Sequence, residues 1–413
     1  MVRVSKHNTP ALRFDGFDGE WSDTTLEQLF EYGGSGGTPS KSRSEFYGGG
    51  IPFLGIADIK DRVITHTEKT ITELGLKSSA AWEIPEGAIS LAMYASVGRV
   101  GIAGMELATS QAFYNMVFAD EATRNFVFAR LAKMELMSEW EAQISTGTQR
   151  NLNAFKVRTC PIKTPFSLEE QSAIGELFSD LDALIEQHRA KHGNLQQTKT
   201  ALMQRMFPQD GSNEPELRLG GFSGAWESRI MRDCAEYSKG NGYSKKDIAD
   251  EGTPVIHYGR LYTNYETAIT GVDTFASPQP GALISRGDEV LVPASGETAE
   301  DIAIASALLQ SGVLIGGDLN VIRPRQNIDP VFLALSLSDG MAKETLVKRA
   351  QGKSVVHLRN SDIQEVEILF PSLEEQRAIS DVFTNLDALI TAESRYITQL
   401  AQAKSALLQR MFV

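Results

Sequence analysis

The stretch SLEEQSAIGELFSDLDALI (residues 167–185) returns as SLEEQRAISDVFTNLDALI (residues 372–390), with thirteen of nineteen positions identical at an offset of 205 in a chain of 413 residues. The echo extends well beyond these segments. LRFDGFDGEW (12–21) returns as LRLGGFSGAW (217–226), Glu31-Tyr32 as Glu236-Tyr237, Asn115 as Asn320, Gly147 as Gly352, and QRMF (204–207) as 409–412. Whatever one half folds into, the other must be able to repeat. Two copies are too few for a solenoid, whose periods are also shorter. They fit a pseudo-two-fold molecule, one chain imitating a homodimer.

The repeated stretches predict two long helices. Ile174, Phe178, Leu181, Ile185, His188, His192, Leu195, Lys199, Leu202 and Met206 alternate spacings of four and three. Ile379, Phe383, Leu386, Ile390, Glu393, Ile397, Leu400, Lys404, Leu407 and Met411 keep the same register. A heptad seam of this length is the pattern of a coiled coil. Ser167 with Glu170, and Ser372 with Glu375, have the spacing of a capping box. A two-fold axis perpendicular to the helices would pair them antiparallel, setting His192 opposite Glu393 and His188 opposite Ile397. The alternative is two independent amphipathic helices, each lying on its own domain.

Between the helices lie two bodies of mixed character. Residues 88–103 and 288–305 look like strand–turn–strand pieces, while 121–144 and 329–350 look like helices that close each body. The expected architecture is α+β: recognition-type bodies at 1–164 and 208–370, and helices at 165–207 and 371–413.

Composition narrows the function. A net charge of −13 excludes a protein that coats nucleic acid by bulk charge. Residues 1–164 carry 17 Lys and Arg against 19 Asp and Glu, and residues 208–371 carry 15 against 23, so the acidity is concentrated in the second body. Cys160 and Cys234 have no metal-ligand spacing and are expected to be buried thiols in a reducing compartment. With no signal-peptide pattern and no apolar run of spanning length, a cytoplasmic location is expected.

Familiar catalytic signatures fail at identifiable residues. The Gly-Lys-Ser at 352–354 lacks the first glycine of a phosphate loop, since that position is Val347. Asp329-Pro330-Val331-Phe332 departs from the Asp-Pro-Pro-Phe/Tyr of amino-methyltransferases at Val331. His188 and His192 have the i, i+4 spacing of a zinc pair, but no Glu follows His188 and both lie on the seam, where polar residues set register.

Two variable bodies alternating with two helices that open SLEEQ, continue to LDALI and end in QRMF closely resemble the specificity subunit of type I restriction-modification systems. The resemblance covers the whole chain. GGTPSKSRSEFYGGGIPFL (36–54) and LVPASGETAEDIAIASALL (291–309) resemble, more weakly, stretches of that family's target-recognition domains. It implies a non-catalytic reader of double-stranded DNA in which each body reads one half of a bipartite target. The helices would pair through Ile174, Phe178, Leu181, Ile185, His192, Leu195 and Leu202 with Ile379, Phe383, Leu386, Ile390, Glu393, Ile397, Leu400 and Leu407. They would set the spacing and dock two methyltransferase subunits, joined by motor-nuclease subunits. No cofactor is implied for this chain; S-adenosylmethionine, ATP and Mg would serve the partner subunits. No membrane partner is implied.

Such a reader needs local cations and base-reading groups. In the first body the candidates are Lys41, Arg43, Tyr47, Tyr94, Arg99, Arg150 and Asn151. In the second they are Lys239, Lys245, Lys246, Tyr258, Arg260, Tyr262, Asn264, Arg286 and Lys353. No motif fixes these residues, and for any single member a solvated surface charge is the commoner reading. A coiled-coil scaffold that binds only proteins is the competing reading, although it would not need two large Gly-rich bodies with basic turns.

Overall fold

Both long helices run unbroken for 39 residues, Leu168–Met206 and Leu373–Met411, in a computed structural model that describes residues 8–144, 151–209, 211–352 and 355–413. At 1.5 Å per residue each is about 60 Å long. Ser167 Oγ accepts the Glu170 N–H at 3.2 Å, and Ser372 Oγ accepts the Glu375 N–H at 3.3 Å. The other half of the expected capping box is redirected. The Glu170 carboxylate takes two bonds from Arg13, both 2.7 Å, and the Glu375 carboxylate takes two from Arg218, at 2.8 and 2.7 Å. The repeated LR dipeptide and the repeated SLEEQ are therefore two ends of one buried ion pair, made twice.

The chain divides into two compact units, Met1–Ala190 with Arg395–Val413, and Lys191–Ser394. In the first unit a five-stranded sheet has the spatial order Tyr32–Gly34, Phe113–Val117, Ile89–Ala92, Val100–Ala103, Val63–Ile64, antiparallel except for its last pair. In the second unit the order Ala235–Lys239, Leu319–Pro324, Glu289–Pro293, Ser306–Leu308, Ala268–Ile269 repeats this plan, again with only the last pair parallel. A two-stranded ribbon leads into each long helix: Ser22–Thr25 with Pro161–Thr164, and Glu227–Ile230 with Glu367–Phe370.

The halves diverge in the second sheet. The first unit has four strands there, Lys69–Ile71, Tyr47–Phe53, Leu107–Thr109 and Trp82–Ile84. The second has three, Phe275–Ala276, Thr253–Ile256 and Leu314–Ile315, with the fourth reduced to one bridge between Ile284 and Leu314. The closing helices also differ from expectation. The first is Glu121–Leu136, and the second is broken into Pro330–Ser338 and Gly340–Arg349. The break falls where Asp339 is extended and Gly340 takes a φ of 58°, a conformation that glycine adopts without a Cβ penalty.

Each unit is closed by the end of the helix that follows the other body. In the first unit Phe412 packs on Trp21, Phe126 and Phe178, and the Leu12 N–H donates to the Arg410 carbonyl at 2.9 Å. In the second unit Phe207 packs on Trp226, Phe332 and Phe383, and the Leu217 N–H donates to Arg205 at 2.8 Å. The repeated QRMF is thus a core plug. One differing position is also explained. A Cβ at Gly175 would meet Asn125 at 2.8 Å, so glycine lets the first long helix touch Glu121–Leu136. The equivalent Ser380 instead donates its hydroxyl to Asp329 at 2.6 Å.

Helix–helix contacts occur inside each unit. Asp182 meets Lys404, and His188 packs edge-on against Tyr396 at 4.5 Å, in the first unit. Lys199 meets Asp387 at 2.5 Å, and Lys191 meets Glu393, in the second. The residue numbers in every pair add to 584 or 586, as antiparallel helices require. Buried Glu393 makes an ion pair with Lys191, the neighbour of the expected His192, and His188 packs on Tyr396, the neighbour of the expected Ile397. Along the seam, Ile174, Phe178, Ile185, Ile379, Phe383 and Leu386 are buried, whereas Leu181, His192, Leu195, Leu202, Ile390, Ile397, Leu400 and Leu407 are half-exposed.

Glu170 and Glu375 are each 2% exposed, so removing the arginine strands a buried carboxylate. Arg13→Ala and Arg218→Ala should each destabilise the fold by roughly 3–5 kcal/mol, the usual effect of breaking a buried pair. Denaturant unfolding of the two variants checks this; losses below about 1 kcal/mol would mean the pairs are peripheral.

Candidate nucleic-acid interface

In each unit the chain returns beside the loop that follows the central strand. Leu152 donates its N–H to the Met93 carbonyl at 3.0 Å, and Leu358 donates to the Ala294 carbonyl at 3.0 Å. Each bond staples the loop after Ile89–Ala92 or Glu289–Pro293 to the segment before a short helix, Ala154–Arg158 or Asn360–Gln364. In the second unit the join also forms a ribbon, Ser295–Gly296 with Val356–His357. Asn320 holds it from below, its side-chain amide donating to the Leu358 carbonyl at 2.8 Å. The equivalent Asn115 donates to Thr109 at 2.8 Å and to Gly34 at 3.2 Å, and accepts from Ser90. The recurrence of this Asn at the 205 offset was the only sequence sign of its positioning role.

In the first unit the staple brings Tyr94 and Asn151 to one edge. Tyr94 is exposed in a turn where Ala95 and Ser96 both have positive φ. Arg99, at the end of that turn, makes a 3.6 Å ion pair with Glu135, and both partners are partly exposed. Lys41, Arg43 and Tyr47 belong instead to the second sheet and its leading turn. Lys41 is exposed, Arg43 pairs with Glu45 at 2.7 Å and stacks over Phe46, and the Tyr47 hydroxyl donates to the Pro39 carbonyl at 2.6 Å. Arg150 lies outside the described residues.

In the second unit Tyr258 is exposed and meets Tyr262 edge-on at 6.2 Å. The Tyr262 hydroxyl donates to the Ser295 carbonyl at 2.8 Å, and burial pushes its pKa upward. Arg260 is committed elsewhere: it binds Asp273 at 2.7 Å, Glu266 at 2.8 Å and the Gly271 carbonyl at 3.1 Å. Its charge is answered inside its own loop. Asn264 is exposed, with its amide 3.4 Å from Glu266. Lys239, Lys246 and Arg286 are exposed, on an edge strand, a 3-10 turn and a loop respectively. Lys353 and the side chain of Lys245 lie outside the described residues.

A cavity of about 770 Å³ in the first unit lies where the body meets the helix pair. Arg62 stacks on Phe128 at 4.3 Å and donates to Asn125 at 2.8 Å, and its backbone N–H donates to Glu186 at 3.2 Å. Burial lowers the Arg62 pKa, while Asp182 opposes the shift. Five cations line this cavity with four carboxylates, a near balance that fits a junction better than a phosphate site. Cys160 and Cys234 are free and buried, and burial raises the Cys160 thiol to about 11. No group of three His, Cys, Asp or Glu among the described residues could hold a metal ion, and no described helix is long and apolar enough to cross a membrane.

The family model for the type I restriction modification DNA specificity domain matches residues 18–197 and again 224–402. The chain belongs to that family. The two matches are the two halves of the repeat, and DNA target recognition as a type I specificity subunit is the function this membership carries. A specificity subunit of the type I restriction enzyme MjaIX from Methanocaldococcus jannaschii is 23% identical over 95% of this chain and 92% of its own length. The HindI specificity subunit of Haemophilus influenzae is 31% identical over 29% of this chain and 26% of its own. Among solved structures, the type I S subunit from M. genitalium shares the fold with a TM-score of 0.67, at 15% identity over 98% of this chain and 99% of that one. A chain solved for the complex assembly and conformational transition of the type I system has a TM-score of 0.52 at 18% identity, covering 95% of this chain and 97% of that one.

Phosphate contacts lower log K by about 0.9 per unit of log salt for each charge neutralised. Lys246→Ala and Arg286→Ala should therefore each flatten the salt dependence of DNA binding by about one unit. Arg260→Ala should leave that slope unchanged while lowering stability. Titrations of the assembled complex across a salt series decide between these assignments.

Proposed function

We propose that each body reads one half of a bipartite, asymmetric DNA sequence, and that the two long helices set the spacing between the halves. The observation that supports this best is the duplication itself. The same five-stranded sheet, the same Arg–Glu pair and the same loop staple occur once in each unit, while the second sheets and the loop sequences differ. A duplicated frame with divergent edges fits one chain that presents two readers of different sequence.

Catalysis is assigned to partners. Two methyltransferase subunits would dock on the helices and supply S-adenosylmethionine chemistry, and motor-nuclease subunits would supply ATP- and Mg-dependent restriction. Phosphate contacts fall to exposed cations such as Lys41, Lys239, Lys246 and Arg286. Base reading falls to the stapled edges that carry Tyr94 and Asn151 in the first unit and Tyr258 in the second.

Exchanging residues 208–370 for the corresponding body of a relative should change one half of the methylated motif and leave the other intact. Sequencing modified bases in cells that carry the chimera reads this directly; a change in both halves would sink the two-reader model. Inserting one seam heptad into each helix adds about 10 Å. The unspecified spacer should then lengthen by up to about three base pairs, at about 3.4 Å per pair. Binding to targets with graded spacers measures the shift, and an unchanged preference would show that the helices measure nothing.

A further inference from the structure

A cavity of about 500 Å³ opens in the second unit beside the loop staple, lined by Tyr258, Tyr262, Ser295, Gly296, Glu297, Asp301 and Val355. Its walls are fixed. The Tyr262 ring is held by its bond to the Ser295 carbonyl, and a Cβ on Gly296 would meet Ile302 at 2.3 Å and the Tyr262 hydroxyl at 2.9 Å. Glycine at 296 therefore keeps the floor low. Thr298 caps the short helix Ala299–Ile302 by accepting the Asp301 N–H at 3.1 Å, which sets the position of the Asp301 side chain. Tyr258 stands at the exposed rim, next to Tyr262.

The chemistry of the lining is selective. Glu297 and Asp301 are exposed, and among the described residues neither makes a salt bridge, although most of the unit's arginines are paired. Two carboxylates with no cationic partner among the described residues repel a phosphate, which argues against backbone binding there. Carboxylate oxygens only accept, and on the major-groove edge the base groups they recognise are exocyclic amines: N4 of cytosine and N6 of adenine. The same oxygens repel guanine O6 and N7 and thymine O4, which are themselves acceptors. A tyrosine at the rim adds an apolar face for the base or for a neighbouring sugar.

We infer that this tyrosine- and carboxylate-lined cavity is a base-reading pocket that admits cytosine or adenine and rejects guanine and thymine at one position on one strand of the half-site read by the second body. This rests on the proposal that the second body reads DNA, and it adds which position-specific chemistry that body uses. It also accounts for a −8 charge on a body that approaches a polyanion: part of the acidity is a rejection device.

The test uses the assembled complex in cells, with Glu297→Gln and Asp301→Asn made separately and together, and the methylated motif determined by modified-base sequencing. Glutamine and asparagine can donate as well as accept, so the barrier against acceptor-bearing bases falls. The expected result is relaxed specificity at a single base pair, where the strand-exchanged pair becomes acceptable, with discrimination there reduced roughly ten- to hundredfold. The rest of that half-site and the whole of the other half should be unchanged. A motif that stays identical in all three variants overturns the inference. Loss of complex assembly by folded variants, with methylation abolished rather than relaxed, also overturns it, and would assign the pocket to a cationic side chain of a protein partner. The exchange of residues 208–370 is run in parallel. If it leaves both halves of the motif intact, the reading of the second body as a DNA reader is what has failed.

Discussion

Two carboxylates at the first turns of two helices, each gripped by an arginine 157 residues earlier, hold the frame together. A glutamate at such a position is already favoured by the helix dipole and by its freedom to cap its own turn. Here that local role is given up for a buried, two-point contact with Arg13 or Arg218. In the first unit the Trp21 indole N–H adds a third contact to Glu170 at 3.3 Å. Because each pair is nearly sheltered from water, its geometry fixes the angle at which the ribbon, the incoming strand and the helix meet. The sheets, the plug phenylalanines and the loop staples all inherit that angle.

The seam between the helices is less apolar than its heptad pattern implies. Lys199 and Lys404 stand at seam positions and pair with Asp387 and Asp182, and Glu393 is buried beside Lys191. Polar contacts of this kind contribute little to stability once desolvation is counted, but they penalise any shifted register. The apolar positions near each helix start, such as Phe178 and Phe383, are buried in the cores of their bodies. Packing against the bodies therefore supplies the burial, and the middle of the seam supplies alignment.

The helices, their antiparallel sense and the duplicated plan were legible because each is written in a periodic or repeated pattern. Arg260 shows where legibility stopped. As one of a run of polar and aromatic residues it resembled a phosphate contact, and nothing in the chain order revealed that Glu266 and Asp273 fold onto it. Tyr47 and Tyr262 stand among the residues whose type suits DNA contact, and chain order does not show that each hydroxyl is tied to a backbone carbonyl. Glu297 and Asp301 carry no signal in the sequence, because carboxylates are not the residue type that polyanion binding calls for. The partnership of Arg13 with Glu170 was invisible for a different reason: each residue alone has an ordinary local explanation.

The exchange of helix ends has a consequence for how the chain is made. The second unit is a continuous stretch, Lys191–Ser394, whereas the first joins Met1–Ala190 to Arg395–Val413. Trp21, Phe126 and Phe178 must wait for Phe412 before their core is sealed. At roughly 5–20 residues per second of synthesis, that delay is on the order of tens of seconds. Over the last stretch of synthesis, residues 395–413, the second body already has every residue it needs while the first still lacks Phe412. Folding thus completes in the reverse of chain order, and the half made first is the one most exposed to chaperones, proteases and mispairing.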